Sequence, residues 1–135
     1  NRFGVDDGIP CLGGAVNKAV TAFIEDLDQR GMSDDVLLVI TGEFGRTPRI
    51  NNKAGRDHWG GICPLLLAGG GLNMGQVIGQ SDKNGGKPIS EAVTTAQLTS
   101  TILHTLVDPG EVRLLPQIPQ AIQNTLSRAD PIRQL

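Results

Sequence analysis

Apolar residues recur at helical spacing in the first quarter of the chain. Between residues 11 and 30 they stand at positions 12, 16, 19, 20, 23, 24 and 27, which places them along one side of an α-helix. The charged residues fall mostly off this side, and Gly31 follows as a C-terminal cap. The pattern predicts an amphipathic helix over residues 11–30, preceded by a loop or frayed end over residues 1–10.

Two short apolar runs follow, over residues 36–40 and 62–68, each bounded by turn residues. The first run is unbroken and rich in β-branched residues, which predicts a strand buried on both faces. Pro64 makes the second run an edge strand, because proline cannot donate a ladder hydrogen bond. We expect a few more extended residues over 74–79.

Helical spacing returns after a polar loop at residues 81–88. Thr94 or Thr95 is placed to cap a helix with Leu98, Ile102 and Leu106 on one side, and the Asp-Pro-Gly at residues 108–110 ends it. Residues 109–135 contain four of the chain's eight prolines. They are expected to form an irregular tail with one short helix over residues 120–126.

Helices that alternate with short buried strands indicate an α/β fold. The predicted set of two helices and two or three strands does not close a doubly wound sheet. We therefore expect residues 1–135 to be a single incomplete α/β domain, the C-terminal portion of a larger domain. Its exposed sheet edge and apolar helix faces predict a homo-oligomer or contact with the remainder of a parent chain.

Composition excludes some classes of partner. A net charge of −2 with three Phe, one Trp and no Tyr argues against nucleic-acid binding. No apolar run reaches 18 residues, so no membrane span is expected. Cys11 and Cys63 lack metal-motif spacing and are interpreted as small apolar residues, although the sequence leaves a disulfide between them open.

Chemistry-bearing residues gather in the stretch TGEFGRTPRINNKAGRDHWGG, residues 41–61. Glu43 comes just after the first predicted strand, and ligands of open α/β sheets bind beyond the carboxyl ends of strands. Asp57 and His58 join it as residue types that bind metal ions. Arg46 and Arg56 offer guanidinium groups that clamp phosphate or sulfate. The stretch therefore predicts an oxyanion site, with or without a metal.

Structural roles for the same residues remain open. Arg46 or Arg56 can pair with Glu43 or Asp57 and simply pin a long loop, and His58 can be a buried hydrogen-bonding residue under the adjacent Trp. His104, among the leucines of the second helix, is interpreted as structural. The glycine triplet at residues 69–71 lacks the Lys-Ser/Thr of a phosphate-binding loop, and no G-x-S-x-G motif occurs.

Three segments carry a family resemblance: DDVLLVITGEFGRTPRIN, GRDHWGGICPLLLAGGGLNMGQVIGQSD and TTAQLTSTILHTL. Together they resemble the C-terminal part of domain-of-unknown-function family 1501, over about residues 12–108 and again at ADPIRQL. The resemblance implies a sulfatase-like member of the alkaline phosphatase superfamily. It also implies an α/β/α sandwich with a mostly parallel sheet, of which this chain is the last third.

The resemblance implies roles for five residues. Glu43 and His58 would bind a divalent metal such as Zn, Mn, Ca or Mg. Asp57 would be a ligand or orient His58, and Arg46 or Arg56 would hold the oxyanion of the substrate, which makes Arg46, Arg56 and Asp57 the candidate catalytic residues. The active hydrolases of the superfamily carry a His ligand after the first strand, where this chain has a Phe, so the metal set is depleted.

The expected function is that of the C-terminal part of a metal-dependent hydrolase acting on small or polymeric sulfate or phosphate esters. The nucleophile would lie upstream of Asn1, so the 135-residue chain alone is expected to be inactive. The alternative is a non-catalytic module on a degenerate hydrolase scaffold that binds an oxyanion, a glycan or a protein. Because relatives are often exported, the resemblance favours a periplasmic or extracellular parent.

Overall fold

The computed structural model describes residues 5–90, 92–127 and 129–135. Four helices and four strands occur in these ranges. In chain order they are α1 (Val5–Gln29), β1 (Leu37–Thr41), β2 (Gly45–Arg46), β3 (His58–Trp59), β4 (Leu65–Gly69), α2 (Thr95–Leu106), α3 (Pro109–Arg113) and α4 (Gln120–Leu126). The described helices include none that is long and apolar enough to cross a membrane.

Helix α1 begins earlier than its sequence pattern predicts. The expected loop over residues 1–10 is wrong for residues 5–10, which are helical in spite of Pro10, while residues 1–4 lie outside the described residues. Ile9 lies one turn before Leu12 and continues the apolar stripe toward the N-terminus. The stripe is exposed: Ile9, Leu12 and Val16 keep 64%, 63% and 55% of their accessible surface.

Strands β1 and β4 form a two-stranded antiparallel sheet. Their register runs from the pair Leu37 and Gly69 to the pair Thr41 and Leu65. The β1 side chains are half-buried, where burial on both faces was expected. Within the described ranges residues 74–79 form no strand, and both sheets are antiparallel pairs. The mostly parallel sheet of an α/β/α sandwich therefore stays a prediction.

Helix α2 starts at a complete capping box. The Thr94 hydroxyl accepts a hydrogen bond from Gln97 N, and the Gln97 side chain accepts one from Thr94 N, so two free N–H groups of the first turn are satisfied. Val107 caps the C-terminal end, and Asp108 caps α3 through Gly110 N.

The core of the described chain lies around α2 and the final residues. Thr101, on α2, is buried, and its hydroxyl accepts a hydrogen bond from Ile132 N at 2.9 Å. Ser100 is also buried and donates to the carbonyl of Ala129 at 2.6 Å. The expected irregular tail thus contains α3 and α4, and α4 coincides with the helix predicted over residues 120–126.

Candidate functional site

The candidate site is built on a short β-hairpin that the sequence did not reveal. Strands β2 and β3 pair with Gly45 opposite Trp59 and Arg46 opposite His58. Thr47 extends the pairing: its N–H donates to the carbonyl of Asp57 at 3.0 Å, and its hydroxyl accepts from Asp57 N at 3.1 Å. Because opposed residues of an antiparallel pair share a face, Arg46 and His58 are neighbours although 12 positions separate them.

The tip of the hairpin is fixed by one asparagine. The Asn51 side-chain oxygen accepts hydrogen bonds from Lys53 N at 2.9 Å and Gly55 N at 3.1 Å, as Asn does in tight turns. Its amide nitrogen donates to Asp57 Oδ1 at 2.8 Å. Ala54 adopts a φ of 53°, an uncommon value for a residue with a side chain. The Asp57 carboxylate is therefore positioned by the turn.

Phe44 brings the imidazole and a guanidinium to one ring. The ring centroids of Phe44 and His58 are 3.9 Å apart with an interplanar angle of 30°. The Arg46 Cζ atom lies 5.5 Å from the Phe44 centroid, within the range of a cation–π contact. Arg46 Nη1 also donates to the carbonyl of Arg56 at 3.3 Å. These contacts place two groups that donate to oxyanions side by side.

Glu43 lies at the end of β1, beside a cavity of about 840 Å³. Thr41, Phe44 and Cys63 line the same cavity, and the Cys63 thiol donates to the carbonyl of Gly42 at 3.4 Å. Of the five predicted site residues, Glu43 is the one in the cavity lining; the other four belong to the hairpin. The structure thus brings the hairpin residues together and connects Glu43 to them through the adjacent Phe44.

The described residues do not complete a metal site. Among them, no group of three or more His, Cys, Asp or Glu side chains is arranged to hold an ion. One oxygen of Asp57 is taken by Asn51, while Glu43 makes no hydrogen bond within the described ranges. Catalytic zinc sites use three protein ligands, and Glu43 and His58 supply two.

Of the structural roles open to these side chains, two disagree with the geometry. No arginine of the hairpin pairs with Glu43 or Asp57, since the one ion pair in the described part of the chain is Arg30 with Asp26. His58 is exposed and stacked on Phe44, where the alternative had it buried under Trp59. His104 Nε2 lies 3.4 Å from the carbonyl of Leu126, in agreement with a structural role.

The two cysteines do not form a disulfide. Cys11 and Cys63 are both free, and both are exposed. The possibility that the sequence left open is therefore not realised in the structure.

A second loop, residues 81–88, packs against the hairpin. The Trp59 indole N–H donates to the carbonyl of Gly86 at 2.6 Å. Asp82 Oδ1 accepts a hydrogen bond from Gly86 N at 2.7 Å, and this bond is the largest cause that lowers the pKa of the Asp82 carboxyl. Desolvation, the next largest effect, opposes it, and hydrogen bonds from Lys87 and Asn84 together with the Lys87 charge lower the pKa further. These hydrogen bonds define the conformation of the loop and its contact with the hairpin.

Sequence reasoning did not assign a role to Phe44, Asn51 or Trp59. For Asn51 a signal was present, because Asn side chains in turns commonly accept a hydrogen bond from the backbone N–H two residues later, here that of Lys53. For Phe44 and Trp59 the contacts depend on the hairpin register and on a loop 27 residues away. Neither contact can be predicted from the local sequence pattern.

Comparison with known proteins gives one match. The sequence model of the family described as "Protein of unknown function (DUF1501)" matches residues 5–113, most of the chain and all of the hairpin. No curated protein and no solved structure matches the chain. The chain belongs to the DUF1501 family.

Proposed function

We propose that this chain forms part of the active site of a sulfatase- or phosphatase-like hydrolase of the alkaline phosphatase superfamily, with the fold of an α/β/α sandwich. One observation carries the proposal: Arg46 and His58 are opposed across the hairpin and share the Phe44 ring, directly after Glu43 at the end of β1. Oxyanion donors and a carboxylate at a strand end suit sulfate or phosphate ester chemistry.

In this proposal, different residues of the chain bind the substrate and orient the reacting groups. Arg46 and Arg56 hold the non-bridging oxygens of the ester, because guanidinium groups match such anions with two parallel hydrogen bonds. The Asn51 amide donates a hydrogen bond to the Asp57 carboxylate at 2.8 Å. Because this bond restricts the Asp57 side chain, the carboxylate is already positioned to orient His58 or the substrate. The Phe44 ring fixes the plane of the His58 imidazole.

A divalent cation such as Zn, Mn, Ca or Mg is part of the proposal, with Glu43 and His58 as two of its ligands. Two ligands do not hold a catalytic ion, so the proposal requires further ligands from outside the described residues. When bound, such an ion supplies Lewis-acid polarisation of the ester.

A second candidate function is a non-catalytic binding module for an oxyanion, a glycan or a protein. Phe44 favours it, because an apolar ring lies against His58 where a second imidazole is needed for a full metal set. In this candidate the arginines act without a metal.

The test measures bound metal by plasma mass spectrometry and hydrolysis of 4-nitrophenyl sulfate and 4-nitrophenyl phosphate. It uses the protein as its gene encodes it, with His58→Ala as the variant. His104→Ala is the matched control, because it removes the chain's other histidine from a helix away from the hairpin.

The hydrolase proposal predicts near-stoichiometric metal and ester turnover, both lost in His58→Ala and kept in His104→Ala. Metal and turnover that survive in His58→Ala contradict the assigned role of His58. Absence of both in the unmodified protein contradicts the hydrolase and favours the binding module. The 135-residue chain alone is expected to hydrolyse neither ester.

A further inference from the structure

Positive charge is concentrated in the part of the chain that forms the hairpin and the second loop. Residues 44–88 contain six of the chain's 12 basic residues but two of its 14 acidic ones. The six are Arg46, Arg49, Lys53, Arg56, Lys83 and Lys87. The rest of the chain therefore has twice as many acidic as basic residues, so an acidic protein carries a basic region on one pair of loops.

This positive charge is not compensated by ion pairs within the described residues. None of the six cations forms an ion pair there, since the one ion pair joins Arg30 and Asp26 on α1. The two carboxylates of the region accept hydrogen bonds from uncharged groups, Asp57 from the Asn51 amide at 2.8 Å and Asp82 from Gly86 N at 2.7 Å, and the Lys87 charge also lowers the pKa of Asp82. Arg46 already contacts the Phe44 ring and the Arg56 carbonyl, whereas the side chains of the other five cations are exposed and make no hydrogen bond within the described residues.

Two contacts hold the second loop against the hairpin and bring the two basic segments next to each other. Trp59 donates to the Gly86 carbonyl, and a Cβ atom built on Gly86 would lie 3.3 Å from Pro48 Cγ. Lys87 follows Gly86 and Arg49 follows Pro48, so basic residues flank both sides of the contact. We call the six exposed basic residues on these two adjoining loops the basic face.

Hydrogen bonds at both ends define the backbone of the second loop. Ser81 and Pro88 form a β-bridge, and Asp82 N donates to the carbonyl of Lys87 at 2.9 Å. The Asp82 carboxylate closes the turn at Gly86, so the segment between the two lysines is held from both ends. Lys83 and Lys87 are exposed.

We infer that the basic face binds a polymer with repeated oxyanions, namely a sulfated polysaccharide, beyond the single ester at the hairpin. The inference rests on the proposed function for the reacting end, where Arg46 and Arg56 hold one anionic group. Lys83 and Lys87 then bind a neighbouring anionic group of the same polymer. An isolated ester has one such group and does not need cations on two loops.

The aromatic residues favour a polysaccharide over a nucleic acid. Proteins that bind single strands stack bases on exposed rings. Residues 44–88 contain two such rings: Phe44 is already stacked on His58, and Trp59, 39% exposed, is a single ring where successive bases need several. A sulfated sugar chain needs cations and few stacking surfaces.

The experiment measures binding of dextran sulfate, unsulfated dextran of the same length, and a single-stranded oligonucleotide. It uses the protein as its gene encodes it and the double variant Lys83→Gln/Lys87→Gln. The matched control is Lys18→Gln/Arg133→Gln, which removes two exposed charges from outside the basic face. Affinity is measured at several salt concentrations, because contacts between cations and a polyanion release counterions.

We expect dextran sulfate to bind and unsulfated dextran not to bind. The double lysine variant should weaken binding about tenfold at 50 mM salt and reduce the salt slope by about 1 to 2, while the control changes neither. Unchanged affinity and slope in the lysine variant overturn the inference. An oligonucleotide of equal charge that binds more tightly than dextran sulfate overturns it in favour of a nucleic acid.

The two proposals fail in different measurements. If dextran sulfate binds in a lysine-dependent manner but the unmodified protein hydrolyses neither 4-nitrophenyl ester, the hydrolase proposal is contradicted and the role of the basic face is supported. If the esters are hydrolysed but the lysine variant binds dextran sulfate as the unmodified protein does, the role of the basic face is contradicted and the hydrolase proposal is supported.

Discussion

At Gly45 the hairpin leaves no space for a side chain. A Cβ atom at this position would overlap the backbone carbonyl of Ile62, which belongs to the chain just after β3 and cannot rotate away. Gly45→Ala should therefore force the hairpin and the following segment apart. We expect a loss of about 1 to 3 kcal/mol in the free energy of unfolding, measured with urea, together with the loss of oxyanion binding at Arg46.

Gly60→Ala is the control for that substitution, because a Cβ atom at Gly60 has no neighbour within 4 Å. Its free energy of unfolding should change by no more than about 0.5 kcal/mol. Equal effects of the two substitutions would mean that the backbone near Ile62 yields easily, and that Gly45 does not fix the hairpin.

The sequence identified the polar residues of the site but not their arrangement. The types and order of Glu43, Arg46, Asp57 and His58 were enough to predict an oxyanion site. Their geometry depends on a β2–β3 register in which each strand has two residues, too short to leave a periodic signal. The stacking of Phe44 on His58 depends on that register, so it could not be predicted from the sequence.

The longer elements were predictable because their patterns are local. Helix α2 has its capping box written in the sequence, and α4 follows a proline that cannot continue a preceding element. For α1 the expected start was wrong because residues 1–10 were interpreted as a loop or frayed end, whereas the chain is helical from Val5. Strand β4 begins after Pro64, three residues later than the apolar run.

The loop over residues 81–88 should loosen in acid. A hydrogen bond from Gly86 N lowers the pKa of Asp82, so the ionised carboxylate stabilises the folded loop. This contribution is complete above the pKa of an unfolded Asp, about 3.9, and is lost as pH falls through the lower value of the folded loop. Trp59, the chain's one tryptophan, contacts Gly86 and reports the change.

Trp59 fluorescence of the 135-residue chain should accordingly stay constant from pH 7 to about pH 4 and change below it. Asp82→Ala should give the altered emission already at neutral pH, whereas Asp34→Ala, in a turn outside the loop, should behave as the unmodified chain. Far-UV circular dichroism distinguishes loop opening from general unfolding. Emission in Asp82→Ala identical to that of the unmodified chain at all pH values would show that Asp82 does not hold the loop.

Across the whole molecule, the β1–β4 sheet is smaller than an independent sheet requires. A pair of strands alone is marginal in water, and further strands or covering helices are needed for stability. Both strands of this pair are half-buried, and each has a second edge that carries no strand among the described residues. The proposal of an α/β/α sandwich accounts for this by placing additional strands beside β1 and β4.

The apolar stripe of helix α1 likewise predicts that another surface covers it. Its stripe of Ile9, Leu12, Val16, Phe23 and Ile24 is exposed, which is costly for a helix that also contains Pro10 and glycines. The 135-residue chain should therefore self-associate at micromolar concentration, and sedimentation velocity should give masses above the 14.3 kDa of a monomer. Leu12→Gln/Val16→Gln should shift the distribution toward the monomer, because it interrupts the stripe without altering the basic face.

Lys18→Gln is the control on the same helix, since it changes an exposed polar side chain and leaves the stripe intact. It should sediment as the unmodified chain does. If the stripe variant still associates while the control is unchanged, the open edges of the β1–β4 sheet, not α1, drive the contact. A stable, monodisperse monomer of the unmodified chain would contradict the prediction for both surfaces, and with it the need for strands or helices that cover them.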